Sequence, residues 1–171
     1  MIFCAGGCES FARPLGIGSV NAAMGLLRYF YRGELGIVDE VVFAGSAGVY
    51  DKGLALFELR EFKEAFNKSA ALLEGLAYEL GEGQRESGCG LKLNSLEQIT
   101  ASSRLCELFC KNGFWGENME AFGFFAAAKL LGLKARVILI STNYCDEGAH
   151  EAFLQNHKKA MSLLESALVT A

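Results

Sequence analysis

Apolar and polar positions along this chain switch between two periods, and the switches mark its elements. Residues 2–5, Ile-Phe-Cys-Ala, form a short apolar run closed by Gly6-Gly7, which predicts a buried strand. A second short segment, Phe11–Leu15, ends at Gly16-Ile17-Gly18. Beyond it Val20, Ala23, Met24, Leu27 and Phe30 recur at helical spacing. They predict a helix capped by Ser19, running to Arg32 and ended by Gly33 and Gly36. Val41-Val42-Phe43-Ala44 is β-branched and apolar, a buried strand stopping at a second glycine-rich turn, Gly45-Ser46-Ala47-Gly48. Leu54–Phe62 alternates and predicts a half-exposed strand. Ala65–Leu80 has helix-forming composition, Glu82–Gly90 is polar and glycine-rich and predicts a loop, and Gly90–Asn94 predicts a short strand. Ser102–Lys111 predicts a helix closed by Asn112-Gly113, followed by an extended Phe114–Met119. Glu120–Leu131 is apolar on almost every side, so a buried helix is expected there, ended by Gly132. Arg136–Ser141 is a strong strand, and Ala149–Ala167 is an amphipathic helix.

Strands alternating with helices define an α/β class with a mostly buried sheet. No repeat or linker interrupts the pattern, so residues 1–171 are expected to form one domain. Composition narrows the classes further. With 51% hydrophobic and 21% charged residues the chain is not a disordered tail. A net charge of −4 argues against a nucleic-acid partner. No apolar stretch approaches membrane-spanning length, and the N-terminus lacks a basic leader, so a cytoplasmic protein without a membrane partner is expected. Cys4, Cys8, Cys89, Cys106, Cys110 and Cys145 form no Cys-x-x-Cys pair, and only His150 and His157 could join them. Reduced core thiols and no metal site are therefore expected.

Twenty glycines against one proline mark backbone turns. Gly16-Ile17-Gly18 and Gly45-Ser46-Ala47-Gly48 follow strands, where bare backbone N–H groups can approach an oxyanion. The first also opens a helix, whose N-terminus favours an anion. Neither is a Rossmann fingerprint or a P-loop. Glu120 stands where an extended segment meets an apolar helix, so a partly buried carboxylate is expected, either a first-turn helix acid or an acceptor for sugar hydroxyls. Asn143 lies at the carboxyl end of a strand, either in a turn or with an amide suited to a nucleobase edge. No nucleophile–histidine pattern supports hydrolytic triad chemistry.

In combination these segments resemble the nucleoside phosphorylase and nucleosidase superfamily. Gly16–Ala23 resembles its first glycine turn and helix, and Val41–Gly48 its central strand and second turn. Glu117-Asn118-Met119-Glu120 is similar to its Met-Glu signature. Ile140–Asn143 and Ala149–Phe153 resemble its base-binding strand end and last helix. The Glu-Asn-Met-Glu and Thr-Asn-Tyr-Cys stretches are most similar to a short bacterial branch, the purine nucleoside phosphorylases of Helicobacter and Campylobacter type.

The resemblance implies a three-layer phosphorylase/hydrolase-like fold, with a central mixed, twisted β-sheet flanked by helices. It implies a purine nucleoside phosphorylase cleaving 6-oxopurine nucleosides, with inorganic phosphate as co-substrate, no cofactor, and a trimeric or hexameric homo-oligomer. On it, Glu120 and Asn143 are catalytic, and Met119, His150 and Ile99 join them in binding the nucleoside. Gly7, Arg13, Gly18 and Ser46 surround phosphate. Two features favour a hydrolytic nucleosidase as the alternative. Phe43 stands where hexameric relatives place a phosphate-binding arginine, and Gly-Ser-Ala-Gly also occurs in hydrolytic relatives.

Overall fold

A computed structural model describes residues 1–38, 40–79 and 91–170. The loop expected over Glu82–Gly90 lies outside the described residues. Among the described residues seven strands form one mixed sheet: β1 (Ile2–Cys4), β2 (Arg13–Pro14), β3 (Glu40–Val49), β4 (Leu59–Phe62), β5 (Lys92–Asn94), β6 (Phe114–Glu117) and β7 (Lys134–Tyr144). The helices are α1 (Ser19–Tyr31), α2 (Ala70–Leu73), α3 (Ser103–Lys111), α4 (Ala121–Leu130) and α5 (Ala149–Thr170).

The long β3 is the spine. It pairs in parallel with β7 from Glu40↔Lys134 to Val49↔Tyr144. On its other edge it pairs first in parallel with β1, then antiparallel with β6 at Gly48↔Glu117. Its side chains alternate between two layers, as strand geometry requires. Val41, Phe43, Ala47 and Val49 enter a core with Leu26 of α1 and Phe124 of α4. Ala44 instead meets Ala160, Met161 and Leu164 of α5. The sheet is thus covered on both faces.

Three elements differ from the sequence reading. The run Gly45–Gly48 is not a turn: β3 continues through it to Val49, because β7 pairs with it along that whole length, with one register irregularity at Ala47/Gly48. The helix α1 buries Ser19, Ala22, Gly25 and Leu26, while Val20 and Met24 of the expected apolar face are each 63% exposed. Backbone proximity explains this choice of small residues. A Cβ added at Gly123 of α4 would lie 1.8 Å from the Ser19 carbonyl oxygen, and one at Gly25 would lie 2.1 Å from that of Leu15. Close approach therefore wins over burial of the larger side chains. Finally, only Leu59–Phe62 of the expected Leu54–Phe62 strand, and only Ala70–Leu73 of Ala65–Leu80, take regular structure among the described residues.

Candidate active site

The carboxyl ends of β3 and β7, the start of α4 and the turn after β1 converge on one cavity of about 250 Å³. Each contributes a side chain for a local reason. The Asn118 amide oxygen accepts the backbone N–H groups of Glu120 and Ala121, both at 2.9 Å, so it caps α4 from within its own segment. The Asn118 Nδ2 donates to the Ser46 carbonyl at 3.0 Å, which ties that cap to β3. Glu120, immediately before α4, is thereby held inward and is 5% exposed. Its Oε1 accepts the Gly18 N–H at 2.9 Å. Burial, reinforced by the charge of Glu9, pushes its carboxyl up to about 7, against the pull of the Gly18 hydrogen bond.

Glu9 is another buried carboxylate of the lining, 6% exposed, on the turn that follows β1. Its Oε1 accepts the Ser46 N–H at 2.9 Å and the Ser46 hydroxyl at 2.6 Å. Its Oε2 is buried without a hydrogen-bond partner. Gly45 leaves the room for it, since a Cβ there would stand 2.8 Å from Oε2. Burial raises this carboxyl too, against the two Ser46 hydrogen bonds and the charge of His157. Sequence reasoning missed Glu9. Its available signal was an acid placed directly after a strand and a Gly-Gly turn.

Asn143 sits in β7 opposite Gly48, whose missing side chain leaves space for it. A Cβ at Gly48 would lie 3.1 Å from Asn143 Nδ2. The amide is oriented by its neighbours: Oδ1 accepts from the Thr142 hydroxyl at 2.8 Å, and Nδ2 donates to the Tyr144 carbonyl at 3.1 Å. One amide hydrogen stays available for a ligand. Met119, Ile99 and His150 also line the cavity, with Ile99 54% exposed and His150 exposed at the rim. Phe153 of α5, which sequence reasoning did not assign a role, adds an aromatic ring to the lining.

The groups expected around phosphate are arranged differently. Ser46 lines the cavity, but its N–H and hydroxyl are both given to Glu9. The Gly18 N–H is given to Glu120, and the Ser19 N–H to Glu97 Oε1 at 2.9 Å. Gly7 is exposed and outside the lining. Arg13 is on β2, beside Glu34 at 4.0 Å and over the Tyr29 ring, away from the cavity. Among the described residues the lining holds no lysine or arginine. A dianion placed there would face carboxylates where cations or free donors are required.

No protein-family model matches the chain. The chain is 30% identical to the futalosine hydrolase of Thermus thermophilus, over 90% of its own length and 76% of that relative. Its fold is that of a futalosine hydrolase mutant of Helicobacter pylori, with a TM-score of 0.77 at 16% identity over 98% and 95% of the two chains. A 5′-methylthioadenosine/S-adenosylhomocysteine nucleosidase from S. pneumoniae matches with a TM-score of 0.76 at 16% identity, again over 98% and 95%. The chain belongs to the nucleoside phosphorylase/nucleosidase superfamily of enzymes. Within that superfamily these relatives are hydrolases and nucleosidases, which overturns the expectation of a phosphate-dependent phosphorylase. The carboxylates on the expected phosphate donors give that correction its physical reason.

Proposed function

We propose that this protein hydrolyses the N-glycosidic bond of purine nucleosides, with water as nucleophile and Glu9 as its proton acceptor. The observation carrying this reading is Glu9, a buried carboxylate in the lining of a largely apolar cavity, whose Oε2 has no hydrogen-bond partner. Burial makes that carboxylate a stronger base, closer to the pH at which it would work. In the reaction, the water oxygen bonds to the anomeric carbon as the carbon–nitrogen bond breaks. The bonding pair leaves with the base, which takes a proton from solvent, and the water proton passes to Glu9, which releases it to solvent before the next turnover. Glu120 accepts hydrogen bonds from the ribose hydroxyls, and Met119 packs against the sugar. Asn143, its amide fixed by Thr142 and Tyr144, donates to the departing purine and stabilises the charge that gathers there. An amide stabilises by hydrogen bonding and does not itself protonate the base. No cofactor takes part.

The test compares purine nucleosides in phosphate-free and phosphate-containing buffer. Free ribose, measured as reducing sugar, should form at the same rate in both. Formation of ribose 1-phosphate, or turnover only when phosphate is present, would overturn the reading.

A further inference from the structure

The turn carrying Glu9 is closed on itself. Gly6 and Glu9 exchange two backbone hydrogen bonds, at 3.1 and 3.2 Å. Ser46 holds Glu9 Oε1 from β3. A second contact reaches the turn from outside: His157 Nε2 lies 3.2 Å from the Cys8 carbonyl oxygen. A carbonyl only accepts, so Nε2 is the donor. The imidazole rides on α5, which is anchored to the sheet through Ala160, Met161 and Leu164. One helical turn earlier Phe153 packs against the ring, centroids 4.7 Å apart, and also lines the cavity.

Two polar atoms beside this turn are buried without hydrogen-bond partners, Glu9 Oε2 and His157 Nδ1. An unpaired buried nitrogen costs about 1–3 kcal/mol, and an apolar side chain of similar volume would fill the space without that cost. A purely packing role therefore does not explain a histidine here.

We propose that His157 is the positioning residue of the Glu9 carboxylate: through the Cys8 carbonyl it holds the Gly6–Glu9 turn at the angle that aims Oε2 at the attacking water. The proposal rests on the reading of Glu9 as proton acceptor. Misplacing a reacting group by about 1 Å costs on the order of 100-fold in rate. His157→Leu, which keeps the volume and removes the donor, should lower kcat about 10–100-fold while KM stays within about threefold. His157→Gln, whose amide N–H can reach the same carbonyl, should recover most of that loss.

Three readouts separate the outcomes. Thermal melts of both variants report folding, and steady-state kinetics report the split between kcat and KM. Glu9→Gln is measured alongside. A folded His157→Leu enzyme with wild-type kcat overturns the proposal, as does a His157→Gln enzyme no faster than His157→Leu. If His157→Leu does not fold, the folded His157→Gln enzyme decides: near wild-type kcat supports the proposal, and a kcat as low as that of Glu9→Gln overturns it. A Glu9→Gln enzyme with wild-type turnover refutes the underlying assignment of Glu9, independently of His157.

Discussion

Replacing Glu120 by glutamine should make the protein more stable at neutral pH and far less active. The carboxyl is buried and pushed from 4.5 up to about 7, with burial the largest cause. A carboxyl raised on folding binds its proton more tightly in the native state. Its contribution to stability is therefore fully present below the unfolded value and is lost as pH rises through the folded one. Between pH 4.5 and about 7 the loss amounts to about 3 kcal/mol. Glutamine keeps Oε1 as acceptor for the Gly18 N–H and does not ionise. Chemical denaturation of both proteins at intervals from pH 4.5 to 8 measures the effect. The stability of the variant minus that of the wild type should grow with pH by about 3 kcal/mol and level off above pH 7. In a domain of this size that corresponds to about 6–12 °C in Tm. Turnover should fall by about 100-fold, because an amide gives the ribose hydroxyls one acceptor atom in place of two. A stability difference that does not change with pH would refute the burial argument. Wild-type turnover in the variant would remove Glu120 from the site.

Asn143→Ala should lower kcat by about 10–1,000-fold with a smaller change in KM, since its hydrogen bond strengthens as charge develops on the base; steady-state kinetics check this. The kcat/KM profile should fall on the acid side as the base carboxylate protonates. Gly48→Ala should weaken substrate binding at least tenfold, as its methyl would meet Cys145 Sγ at 2.7 Å and the Asn143 amide at 3.1 Å; competition with a purine base reads this out. Gly123→Ala should destabilise the fold by about 2–4 kcal/mol, as measured by denaturant midpoint, because its methyl would stand 1.8 Å from the Ser19 carbonyl.

Much of this architecture was legible in the pattern of residues. The apolar runs at 2–5, 41–44 and 136–141 became β1 and the lower halves of β3 and β7. The Ser102 cap and the Asn112-Gly113 stop bounded α3 within a residue, with the Ser102 hydroxyl accepting the Leu105 N–H. These signals are local: capping, glycine stops and β-branched runs act over a few residues. The glycine turn at 45–48 and the apolar stripe of α1 misled for one shared reason. Glycine in β3 makes room for side chains from β7 and from the turn after β1, and glycine in α1 and α4 lets backbones touch. Most of these neighbours are distant in sequence.

By itself the sequence determined the α/β class and the order of the main elements, while a shared site for Glu120, Met119 and Asn143 was only what its resemblance implied. Only the tertiary structure decided what surrounds them. It brought Glu9 from the turn after β1 onto Ser46, and Glu97 and Glu120 onto the open amides of α1. Three backbone donors that periodicity left free for an anion are thereby occupied by carboxylates. The physical reason is that a donor's availability depends on which distant acceptor reaches it, and residue spacing along the chain carries no record of that.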